Sequence, residues 1–189
     1  MSTDLPQDQI ALYTVGHGAR SLAEFAAALE SVGLSKLVDV RRYPFSKRHP
    51  HFAKEALAKS LAERGIAYEW WGDELGGRRD PVTGPSRHQG WRNDSFQAYA
   101  DYMDTSDFRE ALNRLLDLVR KERVAVMCAE TLWWRCHRRL IADAAALAGT
   151  EVLHIFDERT IKEHPLHPSL RKDDEGYPVY DVNVDRELL

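Results

Sequence analysis

What this chain lacks narrows its class before any motif is considered. It has only two cysteines in 189 residues, too few for a disulfide scaffold; in a reducing compartment such a pair serves as free thiols or metal ligands. No window approaches the roughly 18 consecutive apolar residues that a membrane helix needs. The opening MSTDLPQDQ has neither the basic nor the apolar region of a secretory signal, so a cytoplasmic location is expected and a membrane partner is not. Internal repeats and linker-like stretches are missing too. At 43 % hydrophobic and 30 % charged residues the composition is that of one globular domain with a full core.

An overall positive charge is also missing, since the net charge is -4. The basic residues are nonetheless concentrated. Residues 41–54, 78–92 and 135–139 carry 12 of the 26 Lys/Arg in 34 positions, with Asp80 as the single acid among them, while the other 155 positions hold 14 basic and 29 acidic residues. Local fields, not the total, attract an anionic ligand.

The chain alternates between short apolar runs and helical patterns. IALYTV (10–15) reads as a first strand ending in GHG, and Ser21 followed three residues later by Glu24 is a capping box that opens a helix ended by Gly33. KLVDV (36–40) is a second strand, and the basic, proline-containing RRYPFSKRHPHF leaves it as a loop. A helix over 54–64 buries Leu57 and Leu61, and residues 66–71 form a third strand. GDELGGRRDPVTGPSRHQGWRND (72–94) has no periodicity and reads as a long functional loop. Ser95 begins a helical region that breaks near residues 104–107. Residues 123–128, nearly all apolar, suit a strand covered on both faces; a helix over 134–148 and a fifth strand over 151–156 follow. Residues 157–189 form a polar extension to the domain at 10–156, with 177–184 as an edge strand or extended arm.

This alternation predicts a single three-layer α/β domain, with a mostly parallel sheet of about five strands and helices on both faces. Ligands of such sheets bind outside the carboxyl ends of the strands. That rule gathers His17 and Arg20, Asp39 and Arg41, Glu74 and Arg78, and Cys128 with Glu130 at one edge. With a strand order of 3-2-1-4-5, the first and fourth strands are neighbours and His17 faces Cys128.

The segments TVGHGARSLAEF, VDVRRYPFSKRHPHF, ELGGRR, GWR, MCAE and CHRRLIAD, in that order, resemble the family known as domain of unknown function 488. The resemblance covers about residues 12–156 and implies an α/β domain in a cytoplasmic prokaryotic setting. It brings no established activity. Where many relatives carry Ser or Asn after the first histidine, this chain has Gly18 and Ala19.

The stretch CAETLWWRCHRR (128–139) concentrates the reactive side chains, and three readings follow. In the first, Cys128 at a strand end, near a helix start and several arginines, is a low-pKa nucleophile or redox group, with Glu130 and His17 managing protons. Asp39 either joins this chemistry or orients Arg41 by a salt bridge. VDVR after an early strand and a cysteine after a later one is similar to rhodanese-like and phosphatase-like domains. However, six residues separate Cys128 from Arg135 where the phosphatase loop has five, and TLWW cannot form a glycine-rich anion cradle.

The second reading is a phosphate-bearing small molecule or nucleic acid as partner, bound with or without catalysis. Arg41, Arg78, Arg135, His137 and Arg138 hold the anion, supported by Lys47 and Arg48. Tyr43, Phe45, Trp91, Trp133 and Trp134 are interleaved with the basic runs as base stacking requires, although at least one of the paired tryptophans is expected to pack internally. The third reading is a zinc or iron enzyme using Cys128, Cys136, His137 and His17; the seven-residue gap between the cysteines is not a knuckle spacing. Beyond that reading the sequence leaves the cofactor unknown. His49, His51, His88, His164 and His167 lie in polar stretches and read as surface residues, and Cys136 with Leu140 and Ala144 is explained by packing alone.

Overall fold

Apolar, β-branched runs become strands where successive residues can be buried on opposite faces. The computed structural model describes residues 10–181; the opening MSTDLPQDQ and residues 182–184 of the expected arm lie outside the described residues. Five such runs, β1 (Ala11–Gly16), β2 (Lys36–Asp39), β3 (Ala67–Trp70), β4 (Val124–Cys128) and β5 (Glu151–Ile155), form a parallel sheet, which β6 (Ile161–Glu163) extends antiparallel to β5. The order is β3-β2-β4-β1-β5-β6.

Period-two alternation assigns each strand residue to one of two cores. Ala11, Tyr13, Val15, Ala125 and Met127 pack with Phe25 and Leu29 of α1 (Leu22–Glu30) and with Leu57 and Leu61 of α2 (Lys54–Ala62). On the other face Leu12, Val124, Val126, Cys128 and Val152 join residues of α4 (Asp94–Met103), α5 (Ser106–Val119) and α6 (Arg138–Leu147). The short helix α3 (Gly72–Leu75) follows β3 and adds Leu75 to this second core. The local signals act as expected at several helix starts. Ser21 and Glu24 form the capping box of α1, and Thr105 caps α5 where the helical region breaks after Met103.

Three expectations are corrected. The order is not 3-2-1-4-5: β4 lies between β2 and β1, because VAVMC is buried at every position and belongs at the centre of the sheet. The adjacency of β1 and β4 survives the change. Secondly, the helix after β4 starts at Arg138, not Trp134; Trp133–Arg135 form a single 3-10 turn, and Cys136 is extended (φ -140, ψ 166), which separates that turn from the helix. Thirdly, His88 is fully buried, and the His164 side chain is 1 % exposed, so neither is a surface residue; His49, His51 and His167 are half-buried. The segment after Asp157 is also structured. A hairpin of β7 (Leu170–Lys172) and β8 (Pro178–Tyr180) delivers Tyr180 into the core beside Trp91 and His88.

Because Tyr180 is fully buried and its hydroxyl bonds Asp143 Oδ2 at 3.0 Å, Tyr180→Ala should lower stability by about 3–5 kcal/mol. The half-exposed Val82 should tolerate alanine within about 0.5 kcal/mol. Urea unfolding of both variants checks the contrast, and a hairpin that merely rests on the surface would give two equally small losses.

Candidate functional site

Parallel pairing aligns the carboxyl ends of the strands. Gly16 is opposite Cys128, and Asp39 is opposite Met127. Beyond those ends, His17 N–H donates to the Cys128 carbonyl (3.0 Å), Gly18 N–H to Ala129 (2.9 Å) and Val40 N–H to Met127 (3.0 Å). Gly16 is needed for this approach, since a Cβ there would sit 1.8 Å from the Glu130 carbonyl oxygen. The result is a cavity of about 560 Å³ with His17, Arg41, Cys128, Glu130, Cys136 and His137 in its walls, and with Tyr43, Phe45, Arg78 and Arg135 among its outer residues.

At the floor lie two free, buried thiols. Alternation along β4 points Cys128 toward α6, where the extended Cys136 meets it. The Cys136 thiol donates to Cys128 and draws its pKa down to about 6 against the cost of burial; the Arg138 charge and the N–H groups of Glu130 and Ala129 act in the same direction. Burial, then the neighbouring Cys128 sulfur, pushes Cys136 well above the ordinary thiol range. The two sulfurs therefore share one negative charge near neutral pH.

Arg138 makes that charge stable. It is 1 % exposed and, among the described residues, forms no ion pair with a carboxylate. Its Nε lies 3.2 Å from Cys136 Sγ, and its Nη2 donates to the carbonyls of Glu130 and Thr131. It is a floor residue beneath the thiols and does not line the cavity, so its expected role as a ligand of a bound anion is corrected to that of a counter-ion. Arg41 is likewise held internally. Asp39, fully buried, accepts from Arg41 Nε (2.9 Å) and Nη2 (2.6 Å) and from Tyr68 Oη (2.6 Å), the orienting salt bridge anticipated for VDVR. Arg41 Nη1 is left 3.3 Å from His17 Nε2.

His17 bonds the Gly18 carbonyl through Nδ1 (2.9 Å) and stacks on Phe52; its Nε2 lone pair then faces Arg41. Burial lowers its pKa to about 4, so it is neutral at pH 7. His137 donates from Nε2 to the Val40 carbonyl (3.0 Å), and its Nδ1 rests against Gly77, where a Cβ would lie 2.8 Å away. It is half-buried in this wall, beside Tyr99 of α4. Glu130 is exposed in the cavity wall, and among the described residues no hydrogen bond or ion pair holds its carboxylate.

At the outer rim Arg78 and Arg135 are exposed and form no ion pair among the described residues. Arg78 is the sole non-glycine residue with positive φ (59°) among those described, a conformation that costs on the order of 1 kcal/mol. It brings the guanidinium 5.6 Å from the Tyr43 ring. Tyr43 and Phe45 are 65 % and 68 % exposed. Trp91, by contrast, is buried against Phe96, His167 and Tyr180 and is unavailable for stacking on a ligand. Trp133 packs on His154, while Trp134 stays exposed. Of the other cleft residues expected, Arg20 is tied to the Gly16 and Phe156 carbonyls and Glu74 lies outside the cavity, 3.7 Å from Arg114.

The donor atoms of Cys128, Cys136 and His137 lie within 4.8 Å of one another and are of the types that hold zinc. Two features oppose a dication there. The Cys136 sulfur already accepts from Arg138 N–H (3.4 Å) and Nε (3.2 Å), and the guanidinium places a permanent positive charge beside it. The arrangement suits an ionised thiol pair better than a metal centre.

Sequence reasoning missed Thr14, Tyr68, Asp143, His154 and Tyr180, all of which bond to site residues or to their supports. The signal available was a polar residue inside an apolar run: Thr14 in IALYTV, His154 in EVLHIF and Asp143 in LIADAAALA.

Two buried histidines and the half-buried His167 should make the fold acid-sensitive. Burial holds His17 and His167 at about 4 and His154 at about 2, against 6.5 in the unfolded chain. The unfolded state binds more protons below 6.5, so this contribution to stability is complete above that pH and is lost as the pH falls through 4. Between pH 6 and 4.5 the unfolding free energy should fall with decreasing pH at more than one proton, about 1.4 kcal/mol, per unit. Urea titrations across this range measure it; a slope below one proton would contradict neutral burial of the three rings.

Residues 21–145 match the family model described as "Domain of unknown function DUF488". The match begins just after His17 and includes Asp39, Arg41, Arg78, Cys128 and the whole of CAETLWWRCHRR. No curated protein and no solved structure matches the chain. With most of its residues inside that match, the chain belongs to the Domain of unknown function DUF488 family.

Proposed function

We propose that this protein is a cytoplasmic enzyme acting on a phosphate-bearing substrate, a nucleotide or a nucleic acid, with Cys128 as its nucleophile. The observation that carries the reading is the arrangement of charge in one cavity. An ionised thiol pair lies at the floor, and two guanidinium groups without carboxylate partners among the described residues, Arg78 and Arg135, stand at the rim. A substrate whose phosphate engages the rim presents its neighbouring atoms to the floor.

Each lining group then has a role its geometry allows. Arg78 and Arg135 hold the anion as charge-assisted donors. Arg41, its Nε and Nη2 engaged by Asp39, offers Nη1 as a fixed positive dipole in the wall. Tyr43 and Phe45 supply exposed ring faces for a base. Cys128 Sγ attacks an electrophilic atom of the substrate, the new bond to sulfur forming as the bond from that atom to its leaving group breaks and the leaving group departs with the electron pair and takes a proton from water. Until then Cys136, which keeps its proton, supplies the hydrogen bond that sustains the thiolate. Glu130 is the carboxylate free to carry a proton. His17, neutral and bonded at both nitrogens, keeps Arg41 in place.

Iodoacetamide should alkylate native Cys128 with a half-maximal rate near pH 6, and Cys128→Ser should abolish that reaction. A thiol that reacts only after unfolding contradicts the nucleophile. In a separate assay, Arg78→Ala and Arg135→Ala should each weaken binding of a single-stranded oligonucleotide several-fold and reduce the slope of log K against log salt by about 0.7. No binding by the unaltered protein at low salt would restrict the substrate to a small phosphorylated molecule.

A further inference from the structure

Beneath α6, on the face of the sheet that carries Cys128, runs a row of buried polar side chains that the cavity does not use. Thr14 and His154 are register partners on β1 and β5, and alternation turns both toward α6 with Leu12 and Val152. Thr14 Oγ1 is 2.7 Å from His154 Nδ1; His154 Nε2 is 2.9 Å from His164 Nδ1; His164 Nε2 is 2.9 Å from Asp143 Oδ1. Asp143 also accepts the His167 N–H (3.0 Å) and the Tyr180 hydroxyl (3.0 Å). At the other end Arg138 Nη1 is 3.3 Å from Thr14 Oγ1. Thr14, Arg138, Asp143 and His154 are all at most 1 % exposed.

The directions of these bonds follow from the two ends. A guanidinium can only donate, and an ionised carboxylate can only accept. With His164 donating to Asp143 through Nε2 and accepting from His154 at Nδ1, every hydrogen points the same way: Arg138 to Thr14, Thr14 to His154 Nδ1, His154 to His164 Nδ1, and His164 to Asp143. Burial keeps His154 unprotonated, assisted by the charge of Arg138. In that arrangement the row links a buried guanidinium to a buried carboxylate through hydrogen bonds of a single polarity, in which each bond strengthens the next. Trp133 lies flat on His154, with ring centroids 4.4 Å apart and planes 5° apart, so the turn that precedes Cys136 is braced by the same row.

We infer that Asp143, acting through His164, His154 and Thr14, is a positioning residue that holds the Arg138 guanidinium against Cys136 and so sets the charge of the thiol pair from the opposite end of the row. The inference rests on the proposed thiolate nucleophile and deepens it. The groups facing the thiols are Arg138 and His137 from α6 and its start, the N–H groups of Ala129 and Glu130 after β4, Tyr99 from α4, and His17 and Arg41 from the loops after β1 and β2. Those facing Asp143 are His164, His167 and Tyr180 from the C-terminal segment, with Arg139 from its own helix. Among the described residues, Thr14 and His154 carry the hydrogen bonds that run between the two sets.

The test is the pH profile of Cys128 alkylation by iodoacetamide in the full chain, with the modified peptide identified by mass spectrometry. Thr14→Val removes the junction without changing any charge and should raise the midpoint by at least half a pH unit, about threefold less thiolate at pH values below the midpoint. Thr14→Ser keeps the hydroxyl and should restore the original midpoint. Asp143→Asn discriminates further. Loss of a negative charge would, through space alone, lower the midpoint, whereas a broken chain raises it. Phe108→Leu, a core change on the same face outside the row, controls for general loosening and should leave the midpoint in place. An unmoved midpoint in folded Thr14→Val overturns the inference, as does a fall in Asp143→Asn, which would make Asp143 only a distant charge. Should Thr14→Val fail to fold, the Asp143→Asn profile decides. A midpoint near the ordinary thiol value in the unaltered protein is a different failure, because it removes the nucleophile itself.

Discussion

The constraint on which the rest of this structure depends is the burial of Arg138. Moving a guanidinium from water into a protein interior costs several kcal/mol even after relaxation, and the usual remedy, a carboxylate, is absent among the described residues. The charge is met instead by Cys136 Sγ, by the carbonyls of Glu130 and Thr131, and by the Thr14 hydroxyl. A thiol pair differs from a carboxylate in one respect that matters here. Its negative charge exists only while one sulfur is deprotonated, so the buried cation and the reactive anion stabilise each other. Removing either leaves the other as an uncompensated charge or an unsatisfied donor.

That interaction is possible only because of topology. The strand β4 lies between β2 and β1, which places Cys128 beside Gly16 and puts Thr14 on the same face, two residues before the strand end. An alanine at position 16 would collide with the loop after β4 and push Glu130 away, and with it a carbonyl on which Arg138 depends. The extended conformation of Cys136 is equally necessary. A helix continuing back to Trp134 would turn the second sulfur out of reach of the first, so the delayed helix start is part of the site.

The sequence revealed the class of fold and the edge of the sheet where the reactive groups meet, because apolar periodicity, capping residues and the carboxyl-end rule are local or general signals. Asp39 with Arg41 was legible as an ion pair for the same reason: two residues apart on one strand end, they had few alternatives. The order of β1 and β4 was not, since pairing between strands more than 100 residues apart depends on which strand is buried on both faces and all sides. The histidines were misjudged for a related cause. His88 and His164 stand among polar neighbours in the chain, but the hairpin of β7 and β8 and the antiparallel β6 fold over them, and their partners, Asp104 and Asp143, lie 16 and 21 positions away. Arg138 could be recognised as important from CHRR, yet its direction, inward to the thiols and not outward to a ligand, is set by the turn at Trp133–Arg135.

The arginines of the basic runs thus divide into two tiers with different duties. Those of the inner tier are neutralised within the protein: Arg41 by Asp39, Arg138 by the thiol pair. They contribute fixed dipoles and hydrogen bonds, but little net field at the cavity mouth. Those of the outer tier, Arg78 and Arg135, have no carboxylate partner among the described residues and remain exposed, so their charge is available to a ligand and screened by salt. A chain of net charge -4 can present a positive mouth in this way only if its acids are spent elsewhere, and the near absence of acids from the three basic segments achieves that. In the proposed function, selection for an anion belongs to the rim and reactivity to the floor. A negative charge on the floor would repel a phosphate placed directly on the sulfur, so that proposal puts the phosphate at the mouth and the atom to be attacked between the two tiers.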